Sequence, residues 1–127
     1  MQPPRPTDAE LEILNVLWER GPSTVRGVQQ ALGRRKPAGY TTVLKLLQIM
    51  TEKGLVRRNE KERAHVYAAL QPRHQTQQQL LGHLLERAFG GSAMSLVMQA
   101  LAAKKATPQE LAEIRKMLDD FEKRGAR

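Results

Sequence analysis

Gly54 divides two kinds of residue spacing. Up to it, apolar residues recur every three or four positions; just after it, short β-prone runs take over. Thr7-Asp8-Ala9-Glu10 has the capping-box form, a hydroxyl N-cap with a glutamate three residues on. Leu11, Leu14, Leu17 and Trp18 follow at helical spacing, with Ile13 beside them, as far as the stop signal Gly21-Pro22. Ser23-Thr24 can cap a short second helix with Val25, Val28 and Leu32 on its buried face and Gly33 at its end. A basic loop, Arg34-Arg35-Lys36-Pro37-Ala38-Gly39, leads into a third helix predicted over Tyr40 to Lys53, with Val43, Leu46, Leu47 and Met50 inward. Leu55–Arg58 and Arg63–Tyr67 then read as two strands joined by the polar turn Asn59-Glu60-Lys61-Glu62.

Helix, helix, helix, hairpin over residues 7–70 is the plan of a winged helix-turn-helix. Gln71-Pro72 marks a boundary, giving an expected winged-helix domain over residues 1–71 and a helical region over 72–127. The class is mainly α with a small β-hairpin. Pro3, Pro4 and Pro6 predict a short disordered lead-in before the first cap. In the C-terminal region, Leu80, Leu81, Leu84, Leu85, Ala88 and Phe89 form a wide apolar stripe ended by Gly90-Gly91. Ser92 caps a helix carrying Met94, Val97, Met98 and Leu101. Thr107-Pro108-Gln109-Glu110 starts another, in which Leu111, Ile114, Leu118 and Phe121 repeat at 3,4,3 spacing. Three short helices are marginal as an independent core. Their stripes predict a dimerisation surface made of Leu84, Phe89, Met94, Val97, Leu101, Leu111, Ile114, Leu118 and Phe121, packed against a second copy.

Charge narrows the function. The 127 residues carry a net +8, compatible with nucleic acid, an anionic membrane or an acidic partner. Residues 1–33 hold three basic and four acidic groups, while residues 34–67 hold nine basic and three acidic. The excess therefore sits on the third helix, the loop before it and the hairpin after it, the parts a winged helix presents to duplex DNA. Aromatics at 4% argue against a stacking platform for single strands. No cysteine is present, which excludes disulfides, thiolate metal sites and thiol catalysis. His65, His74 and His83 lie nine residues apart, not at ligand-pair spacing, so neither a metal site nor any cofactor is expected. No nucleophile elbow or phosphate loop is found, and the chain reads as no enzyme. No stretch is apolar for the roughly 20 residues a membrane span needs, and the N-terminus lacks the apolar core of a signal peptide; a cytoplasmic protein without membrane insertion is expected.

With the apolar face of the third helix turned inward, Thr41, Lys45 and Gln48 fall on one outward stripe, with Tyr40 and Thr42 near its start. Gln pairs bidentately with adenine, Lys donates to guanine or phosphate, and a Thr methyl touches a thymine methyl. Phosphate contacts are assigned to Arg34, Arg35 and Lys36 in the loop and to Arg57, Arg58, Lys61, Arg63 and His65 on the wing. Two other readings stay open: a winged-helix regulator that answers to a small molecule, and a winged helix serving as a protein-interaction module.

The residues also carry a resemblance. Leu11 through Trp18, Gly21 and Val25, the stretch Tyr40 to Gly54, the segment Arg63 to Tyr67, Phe89 to Ser92 and the Thr107 to Leu118 helix together resemble the penicillinase-repressor family of winged-helix transcriptional repressors. The resemblance implies an N-terminal winged helix, a C-terminal helical dimerisation region, and a homodimer on a palindromic double-stranded DNA operator. In several members of that family a membrane-bound zinc-protease sensor triggers cleavage of the repressor in its dimerisation region. The equivalent bond here is Gln99–Ala100, where neither residue matches the Asn-Phe pair of the cleaved members. Members that sense copper use Cys-x-Cys pairs, which this chain lacks. Lys45 and Ile49 stand where the commonest family helix has Thr and Arg, so no characterised operator is carried over.

Overall fold

The computed structural model describes residues 4–33, 35–61 and 63–125. Arg34, one of the predicted phosphate contacts, and Pro3 of the lead-in lie outside the described residues. The chain divides into two compact units, residues 1–82 and 83–127.

The first unit begins with helix α1, Asp8–Arg20. Its capping box is complete: Thr7 Oγ1 accepts from Glu10 N–H at 3.2 Å, and Thr7 N–H donates to Glu10 Oε1 at 2.8 Å. Pro6, expected in a disordered lead-in, is buried. It precedes the cap, where an apolar residue commonly folds back on the first turn. Gly21, at φ +82°, ends α1, its N–H donating to the Leu17 carbonyl.

Ser23–Thr24 form a strand, β1, which the sequence reading missed. Thr24 also caps helix α2, Val25–Leu32, its Oγ1 accepting from Gly27 N–H at 3.0 Å. Helix α3, Tyr40–Lys53, ends at Gly54, a left-handed residue at φ +81°. Leu55 N–H then closes back on the Met50 carbonyl at 2.9 Å, so Leu55 belongs to the helix closure and not to the strand expected from it.

Strand β2 is Val56–Asn59 and strand β3 is Val66–Ala69, in a three-stranded antiparallel sheet of order β1-β3-β2. The second strand thus starts three residues later than predicted. Pairing Asn59 with Val66 leaves residues 60–65 as the wing loop, so Arg63 and His65 lie on the loop and stay in water. The register places Val56 opposite Ala69 and Arg58 opposite Tyr67. Val56 and Tyr67 thereby face the core, and Arg57 with Ala68 faces the other way.

The core joins all of these elements. Ile13, Leu14 and Leu17 of α1, Val28 of α2, Val43, Leu47 and Met50 of α3, and Val56 and Tyr67 of the sheet are each at most 3% exposed. Leu11, Trp18, Leu32 and Leu46, read as inward, are half-buried at its edge. One ion pair crosses this layer: Lys53 Nζ at the end of α3 lies 2.6 Å from Glu10 Oε1, whose side chain is only 3% exposed.

Helix α4, Arg73–Phe89, begins in the first unit and continues into the second. The second unit also holds α5, Ala93–Ala103, and α6, Pro108–Gly125. Ser92 caps α5 through Ser95 N–H, and a full capping box of Thr107 and Glu110 starts α6. No residue of α5 or α6 is buried. Among the described residues, no helix is long and apolar enough to cross a membrane.

Candidate nucleic-acid interface

The third helix sorts its side chains cleanly. Val43, Leu47 and Met50 are fully buried, and Tyr40, Thr41, Thr42, Lys45, Gln48 and Ile49 are exposed on the other side. The base-reading stripe predicted from spacing therefore stands in water on a helix whose opposite face is locked in the core. A side chain on such a helix reaches a groove at a fixed angle, as direct readout of bases requires.

Two basic segments flank the stripe. Before α3, Arg35 and Lys36 border a cleft that also takes in Thr42. The loop is held by Gln29 Nε2, which donates to the Ala38 carbonyl at 3.3 Å, and by Lys36 N–H to the Leu32 carbonyl at 3.4 Å. After α3, the wing loop brings Arg63 and His65 back to the start of the same helix. They line a cleft of about 400 Å³ with Tyr40, Thr24 and Arg26. Arg26, from the first turn of α2, stacks 5.5 Å over the Tyr40 ring. Charge counting passed over Arg26 because it lies in the net-negative first quarter of the chain, residues 1–33. Its place in the first turn of α2, near the opening of the third helix in a winged plan, is the signal that finds it.

The wing cations are not equivalent. Arg57 lies on the outward face of the sheet and lines a third cleft with Arg58, Lys61 and Pro22. Lys61 N–H is held by Asn59 Oδ1 at 3.0 Å, which shapes the turn. Arg58 instead pairs with Glu60 and lies beside Tyr67. Among the described residues, Lys45, Arg57, Lys61 and Arg63 take no ion-pair partner within the chain. They remain available to phosphate, whereas Arg58 is partly committed to the fold.

The predicted dimerisation residues all lie in the second unit. Leu84 is 48% exposed, Met94 74%, Leu118 59% and Phe121 57%; Val97 and Leu101 are exposed as well. Phe89, Leu111 and Ile114 are half-buried. Gln99 and Ala100 lie exposed within α5. Among the described residues, no three His, Asp or Glu side chains gather as a metal-binding group.

Known proteins are similar to this chain in sequence and in fold. Transcriptional regulator BlaI of Mycobacterium tuberculosis is 42% identical over 67 residues, which cover 52% of this chain and 49% of that protein. The match thus spans about half the length of that relative. Penicillinase repressor of Staphylococcus aureus is 20% identical over 116 residues, covering 91% of this chain and 92% of that one. The solution structure of the DNA binding domain of the repressor BlaI aligns with a TM-score of 0.50 at 24% identity, over 57% of this chain and 88% of that domain, a likeness of fold. The penicillinase repressor family itself matches residues 6–120, from the buried proline before the first cap almost to the end of α6. A match of that extent takes in α3, the β2–β3 hairpin and the C-terminal helices together, and the chain belongs to the penicillinase-repressor family, a family of transcriptional repressors and not of enzymes.

Proposed function

We propose that the protein is a dimeric, sequence-specific transcriptional repressor that acts on DNA in the cytoplasm. Each protomer sets α3 into a major groove, with Thr41, Thr42, Lys45 and Gln48 toward base edges. Tyr40 stands at the entry of the helix. Arg34, Arg35 and Lys36 of the loop and Arg57, Lys61, Arg63 and His65 of the wing hold phosphates, with a smaller share from Arg58. The observation that carries this reading is the exposed Thr41-Lys45-Gln48 stripe, flanked on both sides by basic segments and backed by the buried Val43, Leu47 and Met50.

Residues 72–127 supply the dimer contact. What supports this is the run of exposed apolar side chains on α5 and α6, neither of which buries a residue within one chain. Two linked heads engage two half-sites of a palindromic operator, and the second contact forms at high effective concentration. A promoter covered in this way is closed to polymerase. A signal that parts the dimer releases it, and proteolysis prompted by a membrane-bound zinc-protease sensor is one such signal. Gln99–Ala100 is helical, so a protease acting there must first unwind α5.

The test is selection of bound fragments from the source genome at two salt concentrations. The expected result is a palindromic motif upstream of a few genes, with affinity falling steeply as salt rises. Unselective binding with little salt dependence would refute the proposal.

A further inference from the structure

Asp8 and Glu12 stand one turn apart on the same face of α1, and Arg35 and Lys36 stand side by side in the loop before α3. All four line one cleft of about 480 Å³ in the reading head. Among the described residues, none of the four takes an ion-pair partner within the chain. Two carboxylates and two cations thus share the cleft without neutralising each other. The walls between them are apolar, with Ile13, Leu32, Pro37 and Leu46 among them. Leu32 and Leu46 are only half-buried, an apolar surface that the head does not close by itself. Thr42 lines the same cleft from the first turn of α3, a helix whose N-cap, Gly39, supplies no side-chain acceptor.

Phosphate contact accounts for Arg35, Lys36 and Thr42. It does not account for Asp8 and Glu12, which repel phosphate, nor for the apolar walls. A molecule that carries both charges accounts for all of them. Two carboxylates four residues apart on a helix repel each other, and an ammonium between them removes that repulsion. A carboxylate is matched by Arg35 and Lys36, and by the positive end of α3 at Thr42. The apolar walls gain from burial under the body of such a molecule. A cleft of this size lies within the range of small-molecule sites, about 300–1,000 Å³.

We infer that this cleft binds a small zwitterion, with an ammonium and a carboxylate at opposite ends of an apolar body, as in a short apolar peptide. The bound molecule occupies Arg35, Lys36 and Thr42 and so displaces DNA. The inference rests on the reading of those three residues as DNA contacts. It gives the repressor a route of release that needs neither cleavage nor separation of a dimer.

The probe for the test is leucyl-leucine, with its N-acetyl form and its C-terminal amide each lacking one charge. In proton–nitrogen correlation spectra of the full chain, leucyl-leucine should shift the amides of Ala9, Ile13, Ala38, Thr42 and Leu46 and leave those of Val56–Asn59 unmoved. Each capped form should bind about tenfold more weakly, having lost one charge-assisted contact. At ten times its own Kd the probe should weaken binding of a duplex recovered in the fragment selection by about tenfold, through competition. Glu12→Gln removes a partner of the ammonium from outside the DNA contacts. It should weaken the probe about fivefold, while DNA binding without the probe stays within about twofold. The absence of localised shifts at about 20 mM probe, equal binding of the capped forms, or wild-type DNA affinity at saturating probe overturns the inference. A chain that binds no duplex refutes the DNA reading and the displacement with it. The spectra, which need no DNA, tell that failure from a cleft that takes no zwitterion.

Discussion

Replacing Glu10 by glutamine removes the charge that ties the start of α1 to the end of α3. The Glu10 side chain is 3% exposed, and Oε1 accepts from Thr7 N–H at 2.8 Å and from Lys53 Nζ at 2.6 Å. Glutamine keeps an acceptor for the capping box, so the cap survives. Breaking a buried pair costs about 3–5 kcal/mol. Lys53 keeps 25% side-chain exposure, so water takes up part of the loss, and a cost of about 1–3 kcal/mol at neutral pH is expected. At about 4–8 °C per kcal/mol for a unit of this size, Tm drops by roughly 5–20 °C. Burial by itself pushes the Glu10 pKa up; the Lys53 hydrogen bond, the Thr7 N–H and the Lys53 charge together outweigh it and hold the carboxyl below its ordinary 4.5. A group lowered in the folded state stabilises fully above its unfolded pKa and loses that contribution as pH falls through the folded one. The stability gap between wild type and Glu10→Gln is therefore full at pH 7 and closes below the ordinary carboxylate range. Urea unfolding followed by the fluorescence of Trp18, the lone tryptophan, measures it at each pH. No gap at pH 7, or a gap that stays constant on acidification, would refute the assignment.

Gln48→Ala should relax base preference at one operator position and leave nonspecific binding nearly intact; an unchanged profile in a binding selection would refute its reading role. Leu118→Asp places a charge on a residue 59% exposed in the single chain, so the protomer should fold and sediment as a monomer with much weaker operator binding. A variant that stays dimeric would show the α6 seam to be misassigned. Gly82→Ala puts a methyl group where nothing lies within 4 Å, inside α4, and should raise stability by about 0.5–1 kcal/mol in thermal unfolding. A loss instead would show that the glycine serves the helix backbone.

The parts legible in the sequence are those set by local rules. The two capping boxes at Thr7 and Thr107, the glycine stops at Gly21 and Gly54, and the bounds of α3 all follow from residue type and 3.6-residue spacing. The exposed Thr41-Lys45-Gln48 stripe follows from the same spacing once the apolar face is turned inward. Contacts between distant residues were not legible. Ser23–Thr24 is too short to show strand alternation and looks like a cap, which it also is. The start of β3 moved because Asn59 pairs with Val66, a register set by packing Val56 and Tyr67 into the core. The buried Glu10–Lys53 pair joins residues 43 apart, and nothing local announces it. Arg58 was grouped with Arg57, yet alternation along β2 sends the two to opposite faces and leaves Arg58 with Glu60.

The β1–β3 ladder, Ser23 to Tyr67 and Thr24 to Val66, closes across more than forty residues, as the Glu10–Lys53 pair does, whereas the β2–β3 hairpin joins near neighbours in the chain. Loop-closure entropy makes the distant pairing late in folding and early in opening. The amides of the short edge strand Ser23–Thr24 should then exchange with solvent before those of Val43–Met50. Loss of β1 from the sheet edge leaves the β2–β3 hairpin paired and α3 folded. The candidate interface thus keeps its helix and its wing while the sheet edge frays.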